Sequence, residues 1–239
     1  MIRVPSEHQE SGRYFVGGGS FATDGVEIRP AVLNAEQIEG IKAEVSLDHE
    51  ILSRTGIRNL EKKFRSIAQV SASPSILSVA ASLLGRTPYF VRALFFDKTP
   101  GRNWFVTWHQ DRTVALNRRA EIPGWGPWTR KDGVHHVQPP LAVLEHMVTI
   151  RLHVDDADQQ GGCLRVVPGT HLLGILSQGE IDEVVAASKP QACIVAAGDA
   201  VIMRPLLLHS SMKSRRLTHR RVVHLEYSSY ELPSGICWV

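Results

Sequence analysis

The stretch Tyr89-Phe90-Val91-Arg92-Ala93-Leu94-Phe95-Phe96-Asp97 marks where the chain changes from helical to extended spacing. Its aromatic, aliphatic and β-branched content predicts a strand. Further strands are predicted downstream at residues 105–109, 147–154, 163–167, 192–196, 200–209 and 220–227. Glycine, proline and aspartate punctuate most of the breaks between them. One short helix, at 180–187, interrupts the run. Upstream the pattern differs. A short strand at 26–28 leads to a helix that Asn34 caps, with Gln37 three residues on and Ile38, Ile41 and Val45 along one face. Leu60, Phe64, Ile67 and Ala68 repeat that spacing in a second helix, and Ser73-Pro74 opens a third that stops at Gly85. Helices first and strands afterwards predict an α+β, mainly β fold, with the helices on one side of an antiparallel sandwich.

Two segments fall outside this pattern. Residues 1–25, polar and with Gly17-Gly18-Gly19 at their middle, read as a tail rather than a lid. Residues 112–145 hold Trp125, Trp128, His135 and His136 among many glycines and prolines. They are too long for a hairpin turn and are expected to form a loop or lid over the open end. At 239 residues, with no repeat or linker, a single domain over 1–239 is expected. A formal charge of +3 permits an anionic ligand but falls short of a nucleic-acid footprint, so no nucleic-acid partner is expected. Cys163, Cys193 and Cys237 form neither a zinc spacing nor a disulfide framework, which predicts reduced thiols. With no apolar signal core and no run of membrane length, the expectation is a soluble, cytoplasmic protein.

Chemistry concentrates around Trp108-His109-Gln110-Asp111. His109 and Asp111 share one face of an extended segment, because side chains alternate. With eleven histidines, about one such pair is expected by chance, and the chain has several: His8/Glu10, His153/Asp155 and His224/Glu226. His8 lies in the polar tail. His153 and Asp155 lead into what reads as a solvated turn, and His224 and Glu226 read as a surface ladder within the last strand. His109 and Asp111 end a strand and open the long aromatic segment, where a cavity mouth is expected. A second histidine, His209, closes the apolar run after the Gly198-Asp199 turn, and Arg220 opens the next strand. If those two strands pair as a hairpin, His209 and Arg220 stand at the same rim. Two histidines and one carboxylate leave three positions of a mononuclear iron free for a two-point chelator and dioxygen. A nearby arginine supplies a cation for the chelator's far end.

Four patches carry a resemblance to a known family: Phe96-Asp-Lys-Thr-Pro leading to Trp108-His-Gln-Asp111, Gly162-Cys-Leu-Arg-Val-Val-Pro-Gly-Thr-His171, Gly198-Asp199 through His209-Ser-Ser211, and Arg220-Arg221 before Tyr227. Over roughly residues 90–230 the sequence resembles the phytanoyl-CoA dioxygenase family of Fe(II)- and 2-oxoglutarate-dependent oxygenases. The resemblance implies a cupin-like jelly roll, or double-stranded β-helix, with buttressing N-terminal helices. It implies iron on His109, Asp111 and His209, and the 2-oxoglutarate tail on Arg220 with help from Ser211. Arg221, the adjacent alternative, faces the other way on a strand. Arg151 reads either as a second cosubstrate or substrate contact or as a structural partner of a loop carboxylate such as Asp155, with Arg92 a weaker candidate. His171 is expected to order a loop, and Asp199 to make a turn.

The implied activity is oxidation of an unactivated C–H bond in a small, partly apolar metabolite, with dioxygen as oxidant. Asp111 favours hydroxylation or another oxygen-derived oxidation over halogenation, since halogenating relatives lack this carboxylate. Trp104, Trp108, Trp125 and Trp128 suggest an apolar wall near the mouth, with Arg102 and Arg118 available for an anion. Two alternatives stay open. One is a cupin-like metal-dependent isomerase, lyase or metal-binding regulator that does not use 2-oxoglutarate. The other is a nucleic-acid or protein demethylase drawing on the basic segment 213–221.

Overall fold

A computed structural model describes residues 18–48 and 56–239. The pair His8/Glu10 and the first seventeen residues of the expected tail lie outside these. Residues 18–25 are ordered by local chemistry. Ser20 caps a one-turn helix, α1 (Phe21–Asp24), in a reciprocal box with Thr23, and Gly25 ends it at φ 71°. Strand β1 (Val26–Arg29) follows, then α2 (Ala35–Ser46), where Asn34 and Gln37 exchange the capping bonds that the sequence predicts. After β2 (Gly56–Arg58), the expected second helix is split. A 3-10 turn over Leu60–Lys62 gives way to extended backbone at Phe64, and α3 runs Arg65–Ser71. Helix α4 (Pro74–Leu84) starts with proline in its first turn and ends at Gly85, φ 69°. Ile41, Val45, Leu60, Ile67, Val70, Ile76 and Ala80 are buried in one core cluster with Ala93, Phe95, Ile150, Leu152, Val223, Leu225 and Tyr227. Each fully buried Ile, Leu, Val or Phe among them contributes about 1.5–3 kcal/mol through burial.

The strands then arrive in order: β3 (Tyr89–Lys98), β4 (Val106–His109), β5 (Val114–Leu116), β6 (Trp128–Lys131), β7 (Val134–Val137), β8 (Met147–His153), β9 (Leu164–Val167), β10 (Gln191–Ala192), β11 (Ala200–Met203), β12 (Leu208–Ser211) and β13 (Arg220–Ser228). Helices α5 (Leu141–Glu145) and α6 (Gln178–Ala187) lie among them. Six strands form a sheet in the order β1-β11-β8-β13-β3-β2, and four form a second in the order β10-β9-β12-β4. The result is the jelly roll, with its helices buttressing the larger sheet as expected.

Two strand readings are corrected. Residues 200–209 do not form one strand. The chain leaves the six-stranded sheet after Met203, turns at Arg204–Leu207 with Leu207 N–H donating to the Arg204 carbonyl, and enters the four-stranded sheet at Leu208. Pro205, which has no N–H to give a ladder, sits in that crossing. His209 and Arg220 therefore do not share a hairpin. β12 pairs with β4 and β9, β13 pairs with β3 and β8, and the two residues face the cavity from opposite sheets. Of the predicted strand at 192–196, only the Gln191–Ala192 pairing and an isolated Ala157–Val195 bridge form.

The long segment after Asp111 is also more regular than a loop. β5, β7 and β6 form a small sheet of their own. Asp132 (φ 49°) and Gly133 (φ 80°) make the tight turn between β6 and β7. That Asp-Gly step between two short runs is a hairpin signal that the sequence reading passed over. Val114, Leu116, Trp125, Val137, Val143 and Leu144 give the sheet its own buried cluster, shared with Met147 and Ile236.

Candidate active site

Between the two main sheets lies a cavity. With its mouth and the solvent open to it, it holds about 480 Å3 of empty space. Phe96, Arg151, Arg220 and His224 line it from the larger sheet, and Val106, His109, Leu164, His209 and Ser211 from the smaller, with Trp104 and Asp111 beside them. His109 and His209 are paired residues on β4 and β12, so the two rings lie 4.1 Å apart between centroids, tilted by 52°. Asp111 follows the strand end, anchored by its N–H to the Pro205 carbonyl at 2.8 Å. The potential ligand atoms of His109, Asp111 and His209 all lie within 4.8 Å of one another.

The local hydrogen bonds prepare these three groups for a metal ion. His109 Nδ1 meets the Thr107 carbonyl at 2.8 Å, and His209 Nδ1 meets the Leu207 carbonyl at 2.9 Å. A carbonyl only accepts, so both rings carry their proton on Nδ1 and present the Nε2 lone pair to the cavity. Those Nε2 atoms stand 3.8 Å and 3.6 Å from the Asp111 carboxylate. Asp111 Oδ2 is buried with no hydrogen-bond partner among the described residues. Burial opposes ionisation of Asp111, yet the imidazoles of His209, His224 and His109 hold its carboxyl well below the usual carboxylate range. Burial, reinforced by His109, pushes His209 down to about 3, which keeps its lone pair available. Two neutral imidazoles and one carboxylate on one face suit an open-sided divalent ion such as iron.

Gln110, between His109 and Asp111, is 5 % exposed. Its Nε2 donates to the Gly174 and Leu206 carbonyls at 2.8 Å and 2.9 Å, and its Oε1 accepts from Leu176 N–H at 2.9 Å. This side chain ties the ligand turn to the β11–β12 crossing and to the segment before α6.

Cations crowd the other part of the cavity. Arg220 is 3 % exposed, and its Nε and Nη1 have no hydrogen-bond partner among the described residues. Opposite it in the β13–β3 register stands Lys98, fully buried, whose Nζ donates to Ser211 Oγ at 2.6 Å and to the Met212 carbonyl at 2.5 Å. Burial, with Arg220 and Arg151 nearby, pushes Lys98 down to about 7. Burial and then Arg151 bring Arg220 down to about 10. A buried guanidinium with unmade hydrogen bonds fits a carboxylate, which takes two parallel bonds from it. Ser211, engaged by Lys98, keeps its own proton to donate. Lys98 was missed in the sequence as a site residue, although it sits within the Phe96-Asp-Lys-Thr-Pro patch.

The other candidates sort themselves by partner. Arg151 enters the cavity, stacked over the Phe96 ring at 5.6 Å and bonded through Nη1 to His224 Nδ1 at 2.8 Å. The expected alternative partner, Asp155, is held instead by Arg221, through bonds of 2.8 Å and 2.7 Å. Arg92 is spoken for by Glu226 in a two-pronged ion pair. The surface reading of His224 and Glu226 is wrong: both are 3 % exposed, and His224 lines the cavity. β13 is covered on both faces, by the helices on one side and the second sheet on the other. His153 is likewise fully buried rather than at the edge of a solvated turn. His171, expected to order a loop, bonds the Ala22 carbonyl and so ties its turn to α1. Asp199 makes its turn and also accepts from Ala31 N–H. Of the four tryptophans, Trp104 faces the cavity. Trp108 packs beside α6, and Trp125 and Trp128 belong to the small sheet's core. Arg102 bonds Asp97, and Arg118 bonds the Gly235 carbonyl.

The model of the phytanoyl-CoA dioxygenase (PhyH) family matches residues 21–222, a span that holds the triad and Arg220. The chain belongs to the phytanoyl-CoA dioxygenase family. No curated protein is similar enough in sequence to be matched with this member of it. Solved structures share its fold. AviO1 from Streptomyces viridochromogenes Tue57 is 21% identical, covering 89% of this chain and 93% of its own, with a TM-score of 0.66. SnoN, a non-heme α-ketoglutarate-dependent epimerase from nogalamycin biosynthesis, is 16% identical over 91% of this chain and 81% of its own, TM-score 0.65. SnoK, a non-heme α-ketoglutarate-dependent carbocyclase from the same biosynthesis, is 17% identical over 87% and 81%, TM-score 0.66. No single helix among the described residues is long and apolar enough to cross a membrane.

Proposed function

We propose that this family member is an Fe(II)- and 2-oxoglutarate-dependent oxygenase that hydroxylates, or otherwise oxidises, an unactivated C–H bond of a small, partly apolar metabolite. The observation that carries the reading is one cavity that holds both the convergent His109, Asp111 and His209 and a buried Arg220 with unmade hydrogen bonds. His109, Asp111 and His209 would hold iron. Arg220, with Lys98 and Ser211, would take the distal carboxylate of 2-oxoglutarate, and Arg151 would face the cosubstrate nearer the metal. The loaded site supplies oxidative decarboxylation of 2-oxoglutarate by dioxygen, coupled to hydrogen abstraction from substrate. The protein's part is to orient the two carbon chains and keep water out. A cupin-like isomerase or regulator without 2-oxoglutarate has no use for so many buried cations beside the triad.

Asp111 occupies the position that a halide would need, which supports oxygen-derived oxidation. SnoN and SnoK are an epimerase and a carbocyclase, so the product type is a separate question from the cofactor. The residues lining the cavity come from outside 112–145. The small sheet would therefore cover the mouth rather than build the cosubstrate pocket. Anaerobic addition of Fe(II) and 2-oxoglutarate tests the reading through the weak visible charge-transfer band. The band is expected with the native chain and lost in Arg220→Ala. Its absence from iron-loaded native protein overturns the proposal. Screening metabolites for substrate-stimulated succinate release then addresses the substrate.

A further inference from the structure

A buried line of polar side chains connects the cavity to the small sheet. Arg151 Nη1 lies 2.8 Å from His224 Nδ1. A guanidinium only donates, so Nδ1 accepts and the ring proton sits on Nε2. That proton faces Glu226 Oε1 at 3.2 Å. Arg92 grips Glu226 through Nε at 2.8 Å and Nη2 at 2.7 Å. Arg92 also reaches His136 Nδ1 on β7 at 2.9 Å and the Thr113 carbonyl at 3.0 Å. All five side chains are 6 % exposed or less. Thr113 stands two residues after Asp111 and just before β5, and His136 lies on β7, so the line ends between the triad and the small sheet.

A buried ion pair is a poor way to gain stability, since apolar side chains of equal volume usually do as well or better. What the pair does provide is direction. Glu226 fixes the His224 tautomer, and that tautomer leaves one lone pair aimed at Arg151. Arg151 Nε has no hydrogen-bond partner among the described residues, so His224 and the Phe96 face are what orient this guanidinium in the cavity. We infer that His224, Glu226 and Arg92 are positioning residues that aim Arg151 at 2-oxoglutarate and tie its aim to the small sheet through His136 and Thr113. The inference rests on the proposed role of Arg151 as a cosubstrate contact.

The test is 2-oxoglutarate binding to the metal-free full chain, measured by calorimetry, with thermal melts to confirm folding. His224→Asn places an amide oxygen where Nδ1 accepts and is expected to bind within about threefold of the native chain. His224→Gln reaches the Nε2 position instead, leaves Arg151 without its acceptor, and is expected to weaken binding about tenfold, or about 1.4 kcal/mol. Arg151→Ala is expected to weaken it at least as much. Rescue by asparagine over glutamine is the part that lost packing does not reproduce. If Arg151→Ala weakens binding but the two His224 variants behave alike, the positioning line is overturned and the role of Arg151 stands. If Arg151→Ala binds normally, that role is overturned and the inference with it. Should His224→Gln not fold, Glu226→Gln replaces it. It keeps an acceptor for Nε2–H but removes the charge that strengthens that bond and the grip of Arg92, and is expected to weaken binding about threefold or more, and unchanged binding overturns the inference.

Discussion

Lys98 stands opposite Arg220 in the β13–β3 register. Its side chain is fully buried beside Arg220, and its pKa is pushed down to about 7 by burial first and the arginines second. The folded protein then binds that proton less tightly than the unfolded chain does. Stability should rise as pH climbs from about 7 toward the ordinary lysine value of about 10.4, because over that interval the unfolded state alone keeps the proton. Lys98→Met should flatten this rise, and melting curves of both proteins between about pH 7 and 9 check it; parallel curves speak against the assignment. Gln110 makes a second prediction. Gln110→Ala strands two carbonyls and one N–H, and should cost about 2–4 kcal/mol in chemical denaturation while loosening metal binding. At this scale the convergence of His109, Asp111 and His209, with Arg220 in the same cavity, was legible because a metal site would demand particular residue types in a particular order. Lys98, His224 and Glu226 were not, because charged side chains are rarely buried and nothing local in Phe-Asp-Lys or His-Leu-Glu tells a solvent face from a cavity face.

Two starts set by local rules came through intact, and one run whose fate depends on distant partners did not. The capping box at Asn34 and the Ser73-Pro74 start are short-range chemistry, readable from adjacent residues. The split of 200–209 between two sheets is a long-range event, hidden inside a uniformly apolar run. The turn around Gly162 offers a test of how these layers are held. Gly162 adopts φ +66°, and a Cβ there would sit 2.4 Å from the Met212 carbonyl, the same oxygen that accepts from Lys98. Gly162→Ala should therefore destabilise the fold by more than about 1 kcal/mol. It should also weaken 2-oxoglutarate binding by displacing the Lys98 anchor. A variant that melts with the native protein and binds normally would show that this contact is slack.

For the whole molecule, ligands that bind the folded state alone must raise its melting temperature. Iron or another divalent ion together with 2-oxoglutarate at about a hundred times its dissociation constant should add about 2.7 kcal/mol, and a chelator should reverse the metal's share. Arg220→Ala should keep the response to metal and lose the response to 2-oxoglutarate; an unchanged response to both would place the cosubstrate elsewhere. Strand β13 makes this separation of roles workable. Val223, Leu225 and Tyr227 lock into the helix-side core, while Arg220, His224 and Glu226 point the other way. Its register is thus pinned by residues that never meet a reactant. In the connecting stretch the Met212 carbonyl holds Lys98 and His219 holds Asp97, but the exposed Leu217 and Thr218 can change without carrying Arg220 along, so this scaffold can be retuned at that point while the machinery behind it stays put.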